Sequence, residues 1–551
     1  MTHQFDHTGQ SASAARSAQT DRFVYDRLAP PEQWPRFVYG LPELQIPDQA
    51  NLVQVLFSKA FQNVQANQPF LRSDRMTLSY AEALERVNRI SQVLVENFSL
   101  LPGNRVLLRG GNSVAMALAW LGVVNAGLVA VTTMPLLRAK ELGEILKKAQ
   151  PALALCDASL TEELEVSLDQ LGAPCPIMPL NSLHERGSLE ALSASKKGTF
   201  KACELLADDI ALMAFTSGTT GKPKAVVHSH RDVLAACEAW PRHVLKARPD
   251  DIVMGSPPLA FTFGLGGLLV FPMWAGASVY YPSIPYTPEG MVKRLIEVGA
   301  TIVYTAPTYY RQMAAFAETL GTPSLRLCVS AGESLPDTTR RLWKEATGIE
   351  IIDGIGATEM FHIFISSTDK GVRKGAIGKV VPGYTARVVD EKGDEVPRGT
   401  LGQLAVIGPT GCRYVDDPRQ TNYVRDGWNF PGDAFTQDVD GYFFFQARAD
   451  EMIITAGYNV AGPEVEEALL AHPAVAGCAV VGAPDLVRGM IVKAFVVLKD
   501  DQTGDAAMVK SLQEHVKATL APFKYPRQIE FLSALPRTET GKLQRYKLSQ
   551  A

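Results

Sequence analysis

The chain has 551 residues, seven cysteines and a formal net charge of −4 at pH 7. This length exceeds that of one ordinary domain and predicts two or three folded units. The nearly balanced charge, without a basic tract, argues against nucleic acid as the main partner. The cysteines are an odd, dispersed set without a Cys-x-x-Cys pair, which is typical of reduced thiols. We therefore expect a cytoplasmic protein.

The N-terminal residues 1–22 are predicted to form a disordered tail, because polar and small residues dominate there and no signal-peptide core is present. Two later stretches, 114–134 and 263–281, are apolar enough to be considered as membrane spans. Asn125 and Pro272 interrupt them, so each is predicted to be a buried helix followed by a strand. We expect no membrane insertion.

From Leu52 onward, helical patterns alternate with short apolar strands, for example at 105–108, 128–131, 152–155 and 252–254. This alternation predicts βαβ units, mostly parallel sheets and therefore an α/β fold.

Beyond residue 450 the pattern changes to an amphipathic helix at 463–470, strands at 478–481 and 494–498, and a helix at 506–520. We therefore predict a large N-terminal domain over 23–449 and a small α+β C-terminal domain over 450–551.

The segment Thr216-Ser-Gly-Thr-Thr-Gly-Lys-Pro-Lys-Ala225 suits a phosphate group. Glycines let backbone N–H groups approach an anion, hydroxyls donate to its oxygens, and lysine offsets its charge. Apolar runs at 210–215 and 224–228 predict that the segment is the tip of a hairpin. Pro223 and the glycine spacing exclude a Walker loop. Taken alone, the segment also fits a solvated turn.

A second segment, Ile351-Ile-Asp-Gly-Ile-Gly-Ala-Thr-Glu-Met360, predicts a buried strand that ends in a glycine-spaced turn. An isolated carboxylate beside a phosphate would repel it, so Glu359 makes sense as a ligand of Mg²⁺, which prefers oxygen. Thr358 could donate to the α-phosphate. The alternative is a capped turn with a solvated glutamate.

Three later segments also contain polar residues suited to a nucleotide. Residues 428–433 place Asp433 after a glycine turn, where it could accept both ribose hydroxyls, although an aspartate in a surface turn is common. Residues 446–450 supply Arg448, whose guanidinium is a fixed fork of donors that could reach the ribose or a phosphate. The alternative is that Arg448 forms a surface ion pair. Residues 536–542 end in Lys542, which on its own would be an ordinary surface lysine.

Together, and in this order, the five segments resemble the signature of the adenylate-forming superfamily, which comprises acyl-CoA synthetases, carrier-protein-loading adenylation domains and firefly-type luciferases. The resemblance implies ATP and coenzyme A as co-substrates and Mg²⁺ as the metal. It also implies Lys542, Thr358 and Glu359 as catalytic residues, with Glu359 as a ligand of the metal. It implies a hinge at Asp450 and a mobile C-terminal domain. The residues that it assigns to ATP or AMP are Thr216, Ser217, Gly218, Thr219, Thr220, Gly221, Lys224, Gly332, Glu333, Ser334, Asp353, Gly354, Ile355, Asp433 and Arg448. Asp353 would accept from the adenine amino group, and Ile355 stands where most relatives have tyrosine.

The segments 259–266, 330–334 and 355–362 should line the acyl pocket. They contain glycines and aromatic rings but no lysine or arginine, which suits a flat aromatic acid and disfavours a dicarboxylate. His362 is the conspicuous polar group, either a pocket residue or a core histidine bound to backbone. The residues predicted to line this pocket are Phe261, Thr262, Phe263, Ala331, Gly332, Gly356 and His362.

The stretch Gly354-Ile-Gly-Ala-Thr-Glu-Met-Phe-His-Ile-Phe364 resembles benzoate-CoA ligases and 2-aminobenzoate (anthranilate)-CoA ligases. Residues 28–34 and 41–45 look more like the 2-aminobenzoate branch. The resemblance implies that an aryl acid is adenylated, that the C-terminal domain then rotates, and that CoA displaces AMP. Gly457 would leave a channel for the pantetheine arm, and Phe523 and Lys524 would meet the CoA nucleotide.

Other interpretations stay open from the sequence alone. The runner-up substrate is benzoate, and the runner-up enzyme loads a carrier protein instead of CoA. A luciferase-like oxygenase or a non-catalytic binding protein would share the motifs. His228 and His230 share one face of a predicted strand, but no further ligand is near, so hydrogen bonding or packing is favoured over a metal. A homodimer is also left open.

Overall fold

The structure is a computed structural model of the 551-residue chain. It describes residues 17–181, 187–216, 223–283, 287–448, 451–455, 458–485, 489–500, 502–520, 523–537 and 543–549. The predicted boundary at 449/450, the hinge residue Asp450, the loop 217–222, Gly457 and Lys542 lie outside these ranges.

The first sheet has six strands, of which five are parallel and the last is antiparallel to its neighbour. In spatial order they are Ile177–Leu180, Leu153–Asp157, Arg105–Arg109, Val129–Thr133, Ile210–Thr216 and Lys224–Ser229. The central strands are buried along their whole length, as expected for parallel strands covered on both faces.

The second sheet has nine strands, and the six from Ile351–Gly356 to Pro69–Ser73 run parallel. In spatial order they are Lys379–Val380, Ile363–Ser366, Ile351–Gly356, Leu327–Ser330, Ile302–Thr305, Ile252–Gly255, Ser278–Tyr281, Pro69–Ser73 and Thr77–Ser79. These two sheets confirm the predicted βαβ organisation.

Helices connect and cover the strands. Several begin at the caps that the sequence supplies, such as the capping box of Ser229 and Asp232. The α-helices of the described residues are Leu52–Asn63, Tyr80–Gln92, Val114–Asn125, Ala139–Ala149, Thr161–Leu171, Leu189–Ala194, His230–Trp240, Thr262–Leu265, Phe271–Ala275, Pro288–Val298, Pro307–Leu320, Asp337–Thr347, Gln420–Tyr423, Gly462–Leu470, Ala506–Thr519 and Arg545–Ser549.

The third sheet is antiparallel, whereas the sequence predicted mostly parallel sheets. Two of its turns, at Gly427 and Gly441, join successive strands directly, and their positive φ favours glycine. The strands on either side of each of these turns pair as a hairpin, whereas the helix Gln420–Tyr423 lies between strands Gly402–Ile407 and Val424–Arg425. Its strands are Thr385–Val389, Gly402–Ile407, Val424–Arg425, Trp428–Asn429, Asp433–Gln437 and Phe443–Arg448.

The smaller C-terminal domain has its own core and a five-stranded sheet, which confirms the predicted α+β unit. Its strands are Ile453–Thr455, Tyr458–Val460, Val475–Asp485, Gly489–Leu498 and Gln528–Phe531. Its contacts with the larger domain include two hydrogen bonds. Glu467 accepts from the backbone N–H of Thr338 at 2.9 Å, and Arg537 donates to Glu333 at 2.8 Å.

The two apolar stretches form helix and strand as predicted, with Val114–Asn125 followed by Val129–Thr133, and Phe271–Ala275 followed by Ser278–Tyr281. Among the described residues, no helix is both long and apolar enough to cross a membrane.

The described residues begin at residue 17, inside the segment 1–22 that was predicted to be a disordered tail. Gln19 is buried against the first sheet, and its amide donates to the carbonyl of Ile210 at 2.8 Å. Asp21 pairs with Arg105 at the start of a central strand.

Candidate active site

The predicted hairpin forms the edge of the first sheet. Strands Ile210–Thr216 and Lys224–Ser229 pair antiparallel, with Thr216 directly opposite Lys224. The ends of the two strands therefore hold the glycine-rich segment between them. Ser217, Gly218, Thr219, Thr220 and Gly221 themselves lie outside the described residues.

Lys224 and Glu359 meet, although they come from different sheets. The Lys224 ammonium nitrogen Nζ lies 3.3 Å from Glu359 Oε1 and 2.9 Å from the hydroxyl oxygen of Tyr414. The Tyr414 hydroxyl in turn donates to Glu359 Oε1. Glu359 is 6% exposed, so a buried carboxylate here has a cation and a hydroxyl as partners. We call Lys224, Tyr414 and Glu359 the charged cluster.

Thr358 and Glu359 lie on a single turn of 3₁₀ helix, Thr358–Met360, just after strand Ile351–Gly356. The His228 nitrogen Nε2 lies 2.7 Å from the Thr358 carbonyl oxygen. A carbonyl can only accept, so Nε2 carries the proton. The second ring nitrogen, Nδ1, lies 3.8 Å from the buried carboxylate of Asp232.

His228 and His230 both make hydrogen bonds, as favoured from the sequence. His230 is fully buried, and its Nδ1 accepts from the backbone N–H of Leu52 at 3.1 Å. Burial lowers the pKa of His230 to about 3, so the ring is neutral.

Asp353 lies at the carboxyl end of the second sheet and is almost fully buried. Its Oδ1 accepts from the backbone N–H of Gly354 at 3.0 Å. Burial raises the pKa of Asp353 to about 7, and the charge of Arg340 offsets part of the effect. Ile355, which follows, is partly buried at the strand end. The assignment of Asp353 to adenine stays a prediction.

The predicted nucleotide segment at 331–334 contacts the C-terminal domain. Glu333 accepts from the Thr308 hydroxyl at 2.8 Å on Oε2 and from the Arg537 guanidinium at 2.8 Å on Oε1. Its carboxylate is therefore held by protein groups from both domains. Ser334 and Gly332 are exposed beside it.

Asp433 and Arg448, predicted from separate motifs, are partners in the third sheet. They lie opposite each other in register, and the Arg448 guanidinium donates to Asp433 Oδ1 at 3.0 Å. The same nitrogen donates to the carbonyl of Pro431 at 2.9 Å. The pair presents a carboxylate beside a donor fork, an arrangement suited to ribose hydroxyls.

The predicted acyl pocket brings His362 and Phe263 together, with ring centroids 5.6 Å apart. His362 also packs edge-on against Phe271 at 4.5 Å and lies 5.3 Å from Trp240. Gly266 faces the imidazole so closely that a Cβ there would lie 2.5 Å from its Cδ2. The glycine therefore makes room for the ring.

His362 is buried, and neither of its ring nitrogens makes a hydrogen bond within the described part of the chain. Burial lowers the pKa of His362 to about 3, and the nearby Phe263 backbone opposes part of the lowering. A neutral imidazole without partners in an aromatic cluster can still donate one hydrogen bond and accept another.

The remaining pocket residues lie on the same segments. Thr262 is buried at the start of the short helix Thr262–Leu265, and a π-helical turn, Gly266–Val270, follows it. Phe261, just before this helix, is partly exposed, and Ala331 is buried. Gly356 ends its strand where the backbone of His362 passes.

Phe523 and Lys524, the residues predicted to meet CoA, lie on the C-terminal domain. The Lys524 ammonium binds both carboxylate oxygens of Glu464 at 2.6 Å and lies 5.7 Å from the ring centroid of Phe523. Gly457, Asp450 and Lys542 are outside the described ranges, so their roles stay predictions.

Tyr414 is the site residue that the sequence did not indicate. It follows no motif and is 190 residues away from Lys224 along the chain. No sequence pattern described above singles out this tyrosine.

The fold and this site define a class: a two-domain α/β protein with a hydroxyl- and lysine-rich hairpin, a buried carboxylate and a buried aromatic cluster around His362. Residues 58–413 match the family described as AMP-binding enzyme, and residues 464–542 match the AMP-binding enzyme C-terminal domain.

Similar proteins match more than nine-tenths of the chain. A benzoate-CoA ligase of Thauera aromatica is 35% identical over 93% of this chain and 98% of its own. A solved anthranilate CoA ligase in complex with anthranoyl-AMP is 32% identical, with a TM-score of 0.85 over 93% of this chain and 98% of its own. A solved benzoate CoA ligase from Burkholderia xenovorans LB400 is also 32% identical, with a TM-score of 0.83 over 91% of this chain and 100% of its own.

The chain therefore belongs to the AMP-binding enzyme family. It is an AMP-forming acid–thiol ligase, a class of enzyme that uses ATP and CoA.

Proposed function

We propose that this ligase joins an aromatic carboxylic acid to CoA, with 2-aminobenzoate as the preferred acid. The observation that carries the choice is the neutral imidazole of His362 among Phe263, Phe271 and Trp240. Aromatic rings suit a flat aryl group, and the imidazole nitrogens, which have no hydrogen-bond partner among the described residues, suit a polar substituent on it.

In a 2-aminobenzoate complex, the substrate amine donates to a ring nitrogen of His362 or to the Thr262 hydroxyl. Because the ring is neutral well above its lowered pKa, one of its nitrogens is an acceptor at physiological pH. A pocket that leaves a buried acceptor unpaired discriminates against the acid that lacks the amine.

The reaction has two steps. A carboxylate oxygen of the acid attacks the α-phosphorus of ATP, the bond to the bridging oxygen breaks, and pyrophosphate leaves. The thiolate of CoA then attacks the carbonyl carbon of the aryl-AMP, and AMP leaves. In the first step Lys224 and the hairpin bind phosphate oxygens, Thr358 donates to the α-phosphate, and the Asp433–Arg448 pair orients the ribose.

The charged cluster fits Mg²⁺. Mg²⁺ binds through one or two carboxylates and completes its shell with substrate phosphates and water, and Glu359 supplies such a carboxylate. No group of three or more metal-binding side chains occurs among the described residues, which agrees with a metal held largely by the nucleotide. When bound, the ion neutralises charge on the leaving pyrophosphate.

The C-terminal domain supplies the remaining groups. Lys542 offsets the repulsion between the acid and the α-phosphate, and the domain then turns about Asp450 for the second step. Gly457 leaves space for the pantetheine arm, while Phe523 and Lys524 lie at the CoA nucleotide.

Benzoate is the second candidate substrate, favoured by the 35% identical benzoate-CoA ligase. A ligase for benzoate needs the aromatic walls but makes no use of the polar character of His362. A carrier protein in place of CoA is a further alternative.

The test is pyrophosphate release over a panel of aromatic and aliphatic acids, with CoA, with a carrier protein and with neither. A kcat/KM for 2-aminobenzoate at least tenfold above that for benzoate, with turnover dependent on CoA, is the expected result. Equal values for the two acids would contradict amine recognition and leave an aryl-CoA ligase. Activity only with fatty acids would contradict the aromatic assignment.

A further inference from the structure

Tyr414 lies between the two opposite charges of the charged cluster. Its hydroxyl oxygen accepts from Lys224 Nζ at 2.9 Å, while its proton goes to Glu359 Oε1. A tyrosine hydroxyl carries its proton at neutral pH, so it can donate to the carboxylate while its oxygen accepts from the ammonium. The three groups thus form a directed chain from ammonium to hydroxyl to carboxylate.

The residues on either side of Tyr414 are fixed by backbone hydrogen bonds to one strand of the hairpin. The N–H of Val415 donates to the carbonyl of Ala225 at 2.9 Å, and the N–H of Val227 donates to the carbonyl of Arg413 at 3.0 Å. Residues 413–415 therefore run along strand Lys224–Ser229 as an additional short strand. The Tyr414 N–H also donates to the Gln420 side chain at 2.8 Å.

The contacts to Glu359 are one-sided. All hydrogen bonds that the described residues make to its carboxylate fall on Oε1. A carboxylate held by one oxygen is restricted in rotation, and its other oxygen, Oε2, keeps its acceptor capacity.

We propose that Tyr414 is a positioning residue for magnesium–ATP. It holds Glu359 by one oxygen so that the other can bind the cation, and it keeps Lys224 from closing fully onto the carboxylate. This inference rests on the proposed function.

The chain offers a matched control in Tyr423. Its ring packs edge-on against that of Tyr414, with centroids 5.9 Å apart, and it is also buried. Its hydroxyl has no hydrogen-bond partner within the described residues. Tyr414→Phe and Tyr423→Phe therefore remove the same atom from neighbouring buried rings, but only the first removes a contact to Glu359.

The experiment measures ATP binding by calorimetry in the presence of Mg²⁺ and of EDTA. For wild type and Tyr423→Phe, we expect the same strengthening of ATP binding by Mg²⁺. For Tyr414→Phe, we expect this strengthening to fall by about tenfold or more, since a hydrogen bond to a charged group is lost. The affinity in EDTA should change much less.

A double-mutant cycle separates positioning from general damage. If Tyr414 acts through Glu359, Tyr414→Phe should have no further effect on the Mg²⁺ dependence in a Glu359→Gln background. An equal effect in both backgrounds, or a Tyr414→Phe variant with the wild-type Mg²⁺ dependence, overturns the inference and leaves the proposed function intact. A wild-type protein that binds no ATP overturns both.

Discussion

The imidazole Nε2 of His228 lies 2.7 Å from the carbonyl oxygen of Thr358, 130 residues further along the chain. Lys224 and His228 share one face of their strand because side chains alternate along it. Lys224 holds the Glu359 carboxylate, and His228 holds the backbone one residue earlier. One strand of the hairpin therefore fixes the Thr358–Glu359 turn at two points.

We expect His228→Leu to lower kcat/KM for ATP by about 10- to 100-fold, because the carbonyl of the partly buried Thr358 loses its donor. His228→Gln should recover part of the loss, since its amide can donate. Steady-state kinetics at varied ATP would measure both. His243→Gln, which removes a partly exposed histidine paired with Glu43, is the control. Equal kinetics for His228→Leu and the control would contradict a role of His228 in ATP binding or turnover.

Lys542→Ala should separate the two steps. We expect at least a 100-fold loss of adenylate formation, because the positive charge that offsets the α-phosphate is lost. Pyrophosphate exchange would measure this loss. Attack of CoA on supplied aryl-AMP should be largely spared. Lys547→Ala, in the last helix, is the matched control. Similar losses in both half-reactions of Lys542→Ala would be incompatible with its assigned role.

His362→Phe keeps an aromatic ring in the space left by Gly266 but removes both ring nitrogens. We expect the preference for 2-aminobenzoate over benzoate to fall about tenfold, with benzoate turnover itself nearly unchanged. Competition assays with both acids would measure the ratio. An unchanged ratio would show that the amine is recognised elsewhere.

The wild-type preference should also be independent of pH between 6 and 8, because the pKa of His362 is lowered to about 3 by burial and the ring stays neutral throughout. The ratio of the two kcat/KM values, measured in one buffer series, tests this. A preference that changes with a midpoint near pH 6.5 would indicate a solvated imidazole instead.

The raised pKa of Asp353 predicts that the free energy of unfolding depends on pH. Burial raises its pKa to about 7, so the folded state binds a proton more tightly than the unfolded state does. This contribution is fully present below the unfolded pKa, near 3.8, and is lost as the pH rises towards 7. Asp353→Asn should therefore raise the melting temperature relative to wild type at pH 8 more than at pH 5.

The exposed Asp250, changed in the same way, serves as the control for charge removal. A melting-temperature difference between wild type and Asp353→Asn that is the same at both pH values would contradict the raised pKa.

The sequence predicted those parts of the molecule whose signals are local. The hairpin of 210–229 follows from two apolar runs around a glycine-rich turn, and the strand before Thr358 follows from two isoleucines ahead of a glycine-spaced turn. The third sheet was missed because two of its strands have only two residues and the other four are only partly buried, which weakens their apolar signal.

Contacts between distant segments could not be predicted. The position of Tyr414 depends on pairing of residues 413–415 with the hairpin, and the Asp433–Arg448 pair depends on strand register. His362 was recognised as polar, but its lack of hydrogen-bond partners within the described ranges depends on rings from three other elements. Such long-range relationships are set by tertiary packing, which no local pattern encodes.

The ion pair between Arg537 and Glu333 connects the two domains, and Thr308 holds the same carboxylate from the other side. If the C-terminal domain turns between the two half-reactions, this pair must separate and re-form once in every catalytic cycle. Exposed ion pairs weaken as ionic strength rises, so added salt should shorten the time that the domain spends in the orientation seen here. The resting orientation of the enzyme would then depend on the electrolyte around it, without any ligand acting as a signal.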